Sequence, residues 1–255
     1  MLDVIGIEST ADLFTTIPSQ LRLNALDLPP GLTELEAKQL LDGLSHKAKE
    51  AAPELVFLGA GAYDHFTPSV VDAIISRGEF FTAYTPYQAE VSQGTLRAIF
   101  EFQTMVCELT QMEVANASMY DGASALAEAV LMAARINGGA QVLLPRSLHP
   151  FYRRVVETYV RGVGLEIVEI PWRDDGGTID VAQLKAGLNE NTAAVVLQNP
   201  NFLGVLEPIE RVGQIVGPSP AVYVCVVNPI SLGIIRPPGA FGADIVVGDG
   251  QPLGL

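Results

Sequence analysis

Six short runs of aliphatic and β-branched residues, separated by helical patterns, constrain this chain more than any other feature. They are VANASM (114–119), AQVLLP (140–145), LEIVEI (165–170), AAVVLQN (193–199), AVYVCVV (221–227) and DIVVG (244–248). Successive runs are about 25 residues apart, which leaves room for one helix between neighbouring strands, as in βαβ units. Strands buried on both faces read as continuous apolar runs rather than alternating ones. The sequence therefore predicts an α/β fold built on βαβ units and a buried parallel sheet.

The region upstream reads differently. Residues 1–56 form a helical N-terminal arm: Pro29, Pro30 and Gly31 break the chain, Thr33 with Glu36 makes a capping box, and a helix runs on toward Glu50. Residues 57–93 are rich in Gly, Pro and aromatics and predict a long ordered loop around one short helix at 68–77, the kind of segment that tends to carry function. From Gly94 a helix resumes, with Leu96, Ile99, Phe100, Gln103, Val106 and Leu109 or Thr110 near one face. The division expected is an arm over 1–56 and one large domain over 57–255. The last residues, GDGQPLGL, follow an apparent core strand with no covering helix, so the domain reads as truncated at its C-terminal end.

Composition excludes several classes. A hydrophobic fraction of 49% with 17% charged residues can fill a core and is not that of a disordered chain. Lys+Arg 15 against Asp+Glu 29 gives a net charge of −14, which argues against nucleic acid or an anionic membrane as partner. No apolar run approaches the roughly 18 residues of a membrane span, and MLDVIGIEST lacks the features of a secretory signal. A cytoplasmic location is expected. Cys107, in a helical pattern, and Cys225, in a strand-like run, make neither a disulfide framework nor a metal site and read as core residues.

Four groups of residues could carry chemistry. Gly59 and Gly61 in FLGAGAY suggest a dinucleotide fingerprint, but Asp64 stands where the third glycine belongs and no βαβ unit surrounds them, so a tight loop is the better reading. Asp121, Gly122, Ala123 and Ser124 lie where a strand passes into a helix; free N–H groups and the helix dipole there can hold a phosphate or carboxylate, while a plain N-cap by Asp121 or Ser124 is the alternative. Tyr84, Thr85, Tyr87, Gln88 and Glu90 concentrate phenols, a hydroxyl, an amide and a carboxylate around Pro86, suited either to binding or to capping the following helix. His149 opens the helix after the 140–145 run, where open α/β sheets bind ligands, or is simply a helix-start residue. His46, His65 and His149 show no metal spacing, and no G-x-S-x-G elbow occurs.

Taken together, FLGAGAYDHFTP, TAYTPYQAEVSQGTL, FQTMVCELT and NASMYDGASALAEA resemble the P-protein family of the glycine cleavage system, the decarboxylating glycine dehydrogenases, and most closely the subunit 1 type of the two-subunit bacterial form. The resemblance implies a fold-type I pyridoxal-phosphate-transferase-like large domain, a mostly parallel sheet between helical layers in a three-layer αβα arrangement, with a smaller C-terminal domain missing here. It also implies membership of a heteromeric enzyme, a heterotetramer. That enzyme decarboxylates glycine with pyridoxal phosphate and passes the aminomethyl group to the lipoyl group of the H-protein. In that fold a lysine after a late strand holds the cofactor, an acid pairs with its ring nitrogen, and a helix N-terminus holds its phosphate. Here Asn228 stands in the place of the acid, Gln251 or Pro252 in that of the lysine, and no lysine follows Lys185.

The resemblance thus implies a division of labour. Pyridoxal phosphate is expected on the partner, subunit 2, with none bound covalently by this chain. Tyr84, Thr85, Tyr87, Gln88 and Glu90 are then expected to complete the partner's active site, and Asp121, Gly122, Ala123, Ser124 and His149 to be a degenerate cofactor site. The other reading is a non-catalytic, degenerate aminotransferase-fold module that binds or stabilises a partner; fold alone does not choose between them.

Overall fold

The computed structural model describes residues 1–23, 25–51, 59, 61 and 65–254. The FLGAGAY motif, apart from Gly59 and Gly61, and the expected domain boundary at 56/57 therefore lie outside the described residues. Backbone contacts divide the chain into two units, Met1–Phe57 and Leu58–Leu255.

The first unit holds α1 (Leu2–Ile5), two 3₁₀ turns (Thr10–Phe14 and Ser19–Leu21) and α2 (Glu34–Ala51). The start of α2 is fixed by a reciprocal cap: the Glu36 carboxylate accepts from the Thr33 N–H at 2.8 Å, while the Thr33 hydroxyl accepts from the Glu36 N–H at 3.3 Å.

In the second unit the 65–93 region carries two short helices rather than one, α3 (Ser69–Ile75) and α4 (Gly78–Phe81). They are followed by α5 (Gln93–Thr110), α6 (Gly122–Asn137), β1 (Gln141–Pro145), α7 (Pro150–Arg161), β2 (Glu166–Ile170), α8 (Val181–Gly187), β3 (Thr192–Asn199), α9 (Ile209–Val216), β4 (Val222–Val227) and β5 (Ile245–Gly248). The sheet order is β2-β1-β3-β4-β5, and every pairing is parallel. Five of the six expected strands form within a residue or so of their sequence bounds.

The sixth, 114–119, does not. Ser118 has φ 97, outside the strand region, and its N–H closes a local turn on the Asn116 side chain at 3.1 Å. The Gln103 amide of α5 takes the Ala115 carbonyl, so that group is satisfied by a helix rather than by a sheet neighbour. One member of the helical face also departs from expectation. Leu96, Ile99, Gln103, Val106 and Leu109 are half-buried and Thr110 is buried, but Phe100 is 73% exposed. It sits at the margin of that apolar stripe.

Alternation along the strands builds two cores. Val142, Leu144, Ala194, Val196, Val224 and Val226 face α6 and α7, packing on Leu126, Val130 and Val156. Their neighbours Leu143, Val195, Leu197, Tyr223 and Cys225 face the other side, against Leu184 of α8 and Ile209, Val212 and Val216 of α9. Both sheet faces are covered, which explains the uninterrupted apolar runs. Cys225 is buried as expected, whereas Cys107 is only half-buried.

Candidate functional site

The C-terminal ends of parallel strands all open on one edge of a sheet, where α/β proteins place their ligands. At that edge the chain brings together the start of α6, the start of α7 and the exits of β3, β4 and β5.

The α6 turn is closed by side-chain hydrogen bonds. Asp121 is extended and its carboxylate accepts from the Ser124 N–H at 2.7 Å and the Ser124 hydroxyl at 2.6 Å, while the Ser124 hydroxyl oxygen accepts from the Asp121 N–H at 3.3 Å. These hydrogen bonds, first to the Ser124 hydroxyl and then to the Ser124 and Ala123 N–H groups, hold the Asp121 carboxyl below the usual aspartate range, against a smaller opposing effect of burial. The Gly122 N–H is directed to Asp249 Oδ2, 3.3 Å away, just past β5. Gly122 and Ala123 are buried and Ser124 half-buried.

His149 caps α7. Its Nδ1 accepts from the Phe151 N–H at 3.1 Å, its own N–H donates to Gln198 Oε1 on β3 at 2.8 Å, and Pro150 fills the first helical position. The ring is buried among Phe151, Tyr152 and Phe202, with centroids 5.4, 5.0 and 4.9 Å away. A Cβ on Gly61 would lie 3.4 Å from His149 Nε2, an ordinary contact, so it is the φ of +105 that favours glycine there. Tyr152 joins the two turns: a Cβ on Gly122 would lie 2.3 Å from its hydroxyl. The 121–124 turn and His149 therefore lie at one edge of the sheet.

Beside them is a buried carboxylate that the sequence reading missed. Glu207 accepts from the Ser147 hydroxyl (2.9 Å), the Asn201 amide (2.7 Å) and the Ile179 N–H (2.7 Å), and its own N–H donates to Asn199 Oδ1 at 3.0 Å. It ties the exits of β1 and β3 together. A glutamate followed by proline carries no periodic signal that would mark it as internal.

The positions that the resemblance assigns to an acid and a lysine make local hydrogen bonds. Asn228 Oδ1 accepts from the Ile230 N–H at 3.0 Å and caps a 3₁₀ turn. The Gln251 N–H donates to Asp249 Oδ1 at 2.9 Å, Gln251 Oε1 is buried without a hydrogen-bond partner among the described residues, and Pro252 is buried.

The loop of Tyr84, Thr85, Tyr87, Gln88 and Glu90 is exposed, with Pro86 half-buried. The two phenol rings are 6.2 Å apart at 45°, and Tyr84 and Tyr87 are 87% and 78% exposed. Among the described residues no hydrogen bond or ring contact joins this loop to the α6 turn or to His149. Two depressions, of about 380 and 650 Å³, are lined from α8 and α9 (Lys185, Arg211, Gln214) and from the α9 start with Phe241, on the sheet face opposite α6 and α7. No described group of side chains could hold a metal ion, and no described helix is long and apolar enough to cross a membrane.

This parallel sheet between helical layers, with a capped turn entering a helix at its strand ends, has the large-domain fold of the fold-type I pyridoxal-phosphate-dependent transferases. A solved alanine–glyoxylate aminotransferase from a Nostoc species shares that fold at TM-score 0.56 and 20% identity, over 91% of this chain and 52% of its own. The family is narrower: the glycine cleavage system P-protein family model matches residues 1–255, and the chain belongs to that family. It is 51% identical to a probable glycine dehydrogenase (decarboxylating) subunit 1 of Carboxydothermus hydrogenoformans and 50% identical to one of Anoxybacillus flavithermus, covering 100% of this chain and 57% of each relative. A crystal structure of an inhibitor-bound glycine decarboxylase (P-protein) superposes at TM-score 0.83 with 46% identity, over 100% of this chain and 56% of that one. The chain thus spans little more than half the length of the relatives it matches.

Proposed function

We propose that this chain acts as the subunit 1 part of a heteromeric enzyme that decarboxylates glycine and passes the aminomethyl group to the lipoyl group of an H-protein. In this reading the partner, subunit 2, carries the pyridoxal phosphate and its lysine, and residues 1–56 serve as an arm to a large domain over 57–255. The cofactor, held on the partner, supplies the electron sink for loss of CO2. Asp121, Gly122, Ala123, Ser124 and His149 are the remnant of a cofactor site.

This chain's contribution is the loop of Tyr84, Thr85, Tyr87, Gln88 and Glu90. The observation that carries the reading is the presentation of two tyrosines, nearly fully exposed and 6.2 Å apart, on a loop stiffened by Pro86. Exposed phenols held at low entropic cost suit an interface with polar work to do. Their hydroxyls can donate to the carboxylate of glycine and orient it, and their rings can exclude water from the partner's pocket, without introducing an amine that would compete with the substrate. Glu90 can orient a neighbouring donor.

The test is reconstitution. The chain mixed with a subunit 2 protein and lipoylated H-protein is expected to support glycine-dependent exchange of labelled CO2 that neither subunit supports alone. Exchange by subunit 2 at an unchanged rate without this chain would instead identify a stabilising module.

A further inference from the structure

Helix N-termini bind phosphate because their first N–H groups have no intrahelical acceptor. At α6 those donors already face acceptors within the chain. The Gly122 N–H faces Asp249, the Ala123 and Ser124 N–H groups interact with Asp121, and the Ala125 N–H reaches the Asp121 carbonyl at 3.0 Å. Two of these partners are carboxylates, so the local charge opposes a further anion as well as occupying the donors. Space is also taken. Even one methyl group on Gly122 would lie 2.3 Å from the Tyr152 hydroxyl and 3.2 Å from the Gly248 carbonyl carbon.

We infer that Asp249 is the resident anion of the α6 N-terminus, and that with Asp121 and Tyr152 it closes the strand-end cleft of this chain to pyridoxal phosphate and to any other phosphate-bearing group. The disagreement with the fold type is therefore deeper than the Gln251 and Asn228 replacements. Restoring a lysine and an acid would leave the phosphate without donors. Asp249 has a second task that explains its place. Its other oxygen takes the Gln251 N–H at 2.9 Å, so one carboxylate joins the exit of β5 to the start of α6 and turns the chain at 249–253. The residue that takes the first donor of α6 is thus also an internal staple. This deepens the reading in which the cofactor belongs to the partner.

The probes are inorganic phosphate and pyridoxal phosphate, added to the 255-residue chain at ionic strength matched with chloride. The wild-type melting temperature is expected to show no saturable rise in phosphate beyond the gradual effect of an excluded salt, and the amide resonances of Gly122, Ala123 and Ser124 to stay in place. A saturable, phosphate-dependent rise in melting temperature with movement of those amides overturns the inference. Asp249→Ala is expected to melt lower in chloride and to recover part of the loss in phosphate, because its Gly122 donor is free; no recovery overturns the role of Asp249 as resident anion. If Asp249→Ala does not fold, Asp249→Asn, which keeps an acceptor but removes the charge, is the second variant. A smaller saturable phosphate-dependent gain is expected in it, because the repulsion is relieved while the donor stays in use; no gain in it overturns the role of the Asp249 charge. Failure of glycine-dependent exchange in the reconstituted complex would sink the proposed function and leave this inference standing, whereas phosphate binding at α6 would do the reverse.

Discussion

The carboxylate of Asp249 lies 3.3 Å from the N–H of Gly122, although the two residues are 127 positions apart in the chain. One belongs to the exit of an edge strand and the other opens a buried helix, so this contact and the Asp121 cap together decide what the strand-end edge can hold. The capping half of that arrangement gives the first prediction.

Asp121→Ala removes the α6 cap and is expected to destabilise the chain by about 1 kcal/mol, in line with the loss of other N-cap side chains. The Asp121 carboxyl titrates below its ordinary value in the folded state because the ionised form accepts hydrogen bonds, first from the Ser124 hydroxyl. A group with a depressed folded pKa contributes stability above its unfolded pKa, and loses it as pH falls through the folded one. The wild-type advantage over Asp121→Ala should therefore be full at pH 6 to 7 and shrink as pH drops below about 4, the unperturbed aspartate value. Urea melts of both proteins across that range would check it; an advantage that persists unchanged into strong acid contradicts the cap.

Glu207 should matter more than its surface-type composition suggests. Replacing it with alanine leaves the Ser147 hydroxyl, the Asn201 amide and the Ile179 N–H without their acceptor in a buried setting. Each such orphan costs about 1–3 kcal/mol if water does not reach it, so a loss of several kcal/mol is expected, or failure to fold. Glu207→Gln presents an NH2 to groups that are themselves donors and should recover only part of the stability. Chemical denaturation of the three proteins measures this, and a Gln variant as stable as wild type would contradict the network.

Cys225 should be inert in the native protein. Burial pushes its thiol up to about 12, partly offset by a hydrogen bond with Tyr223, and the thiolate rather than the thiol is the nucleophile. Labelling with an aromatic disulfide at pH 8 should modify Cys225 only after denaturant is added. Peptide mapping before and after unfolding distinguishes the outcomes, and rapid native labelling at Cys225 would mean that β4 opens locally.

The loop prediction concerns the complex. Tyr87→Phe should lower turnover in the reconstituted enzyme while leaving assembly intact. A hydrogen bond to a charged group is worth about 1.5–3 kcal/mol, roughly ten- to a hundredfold in rate if it forms only in the transition state. If Tyr84→Phe, Tyr87→Phe and Gln88→Ala all leave turnover unchanged and alter only subunit affinity, the loop is an interface element and carries no part of the reaction.

The sequence by itself determined the parallel sheet, the helix starts at Thr33–Glu36 and Asp121–Ser124, and the family. Those signals are local: β-branched runs, a capping pair three residues apart, and a compositionally unusual loop. Tertiary structure alone decided the rest. Whether 114–119 pairs as a strand depends on a neighbour to accept its backbone, and Gln103 takes the Ala115 carbonyl instead. Phe100 fits the period of its helix yet stays exposed, because periodicity marks a stripe and not what covers its margin. The DGAS turn has the composition of an anion site, but its donors are occupied partly by a residue 127 positions away. Pairing between distant polar groups leaves no periodic trace in a sequence, since any Asp can reach any N–H once the fold has brought them to the same edge.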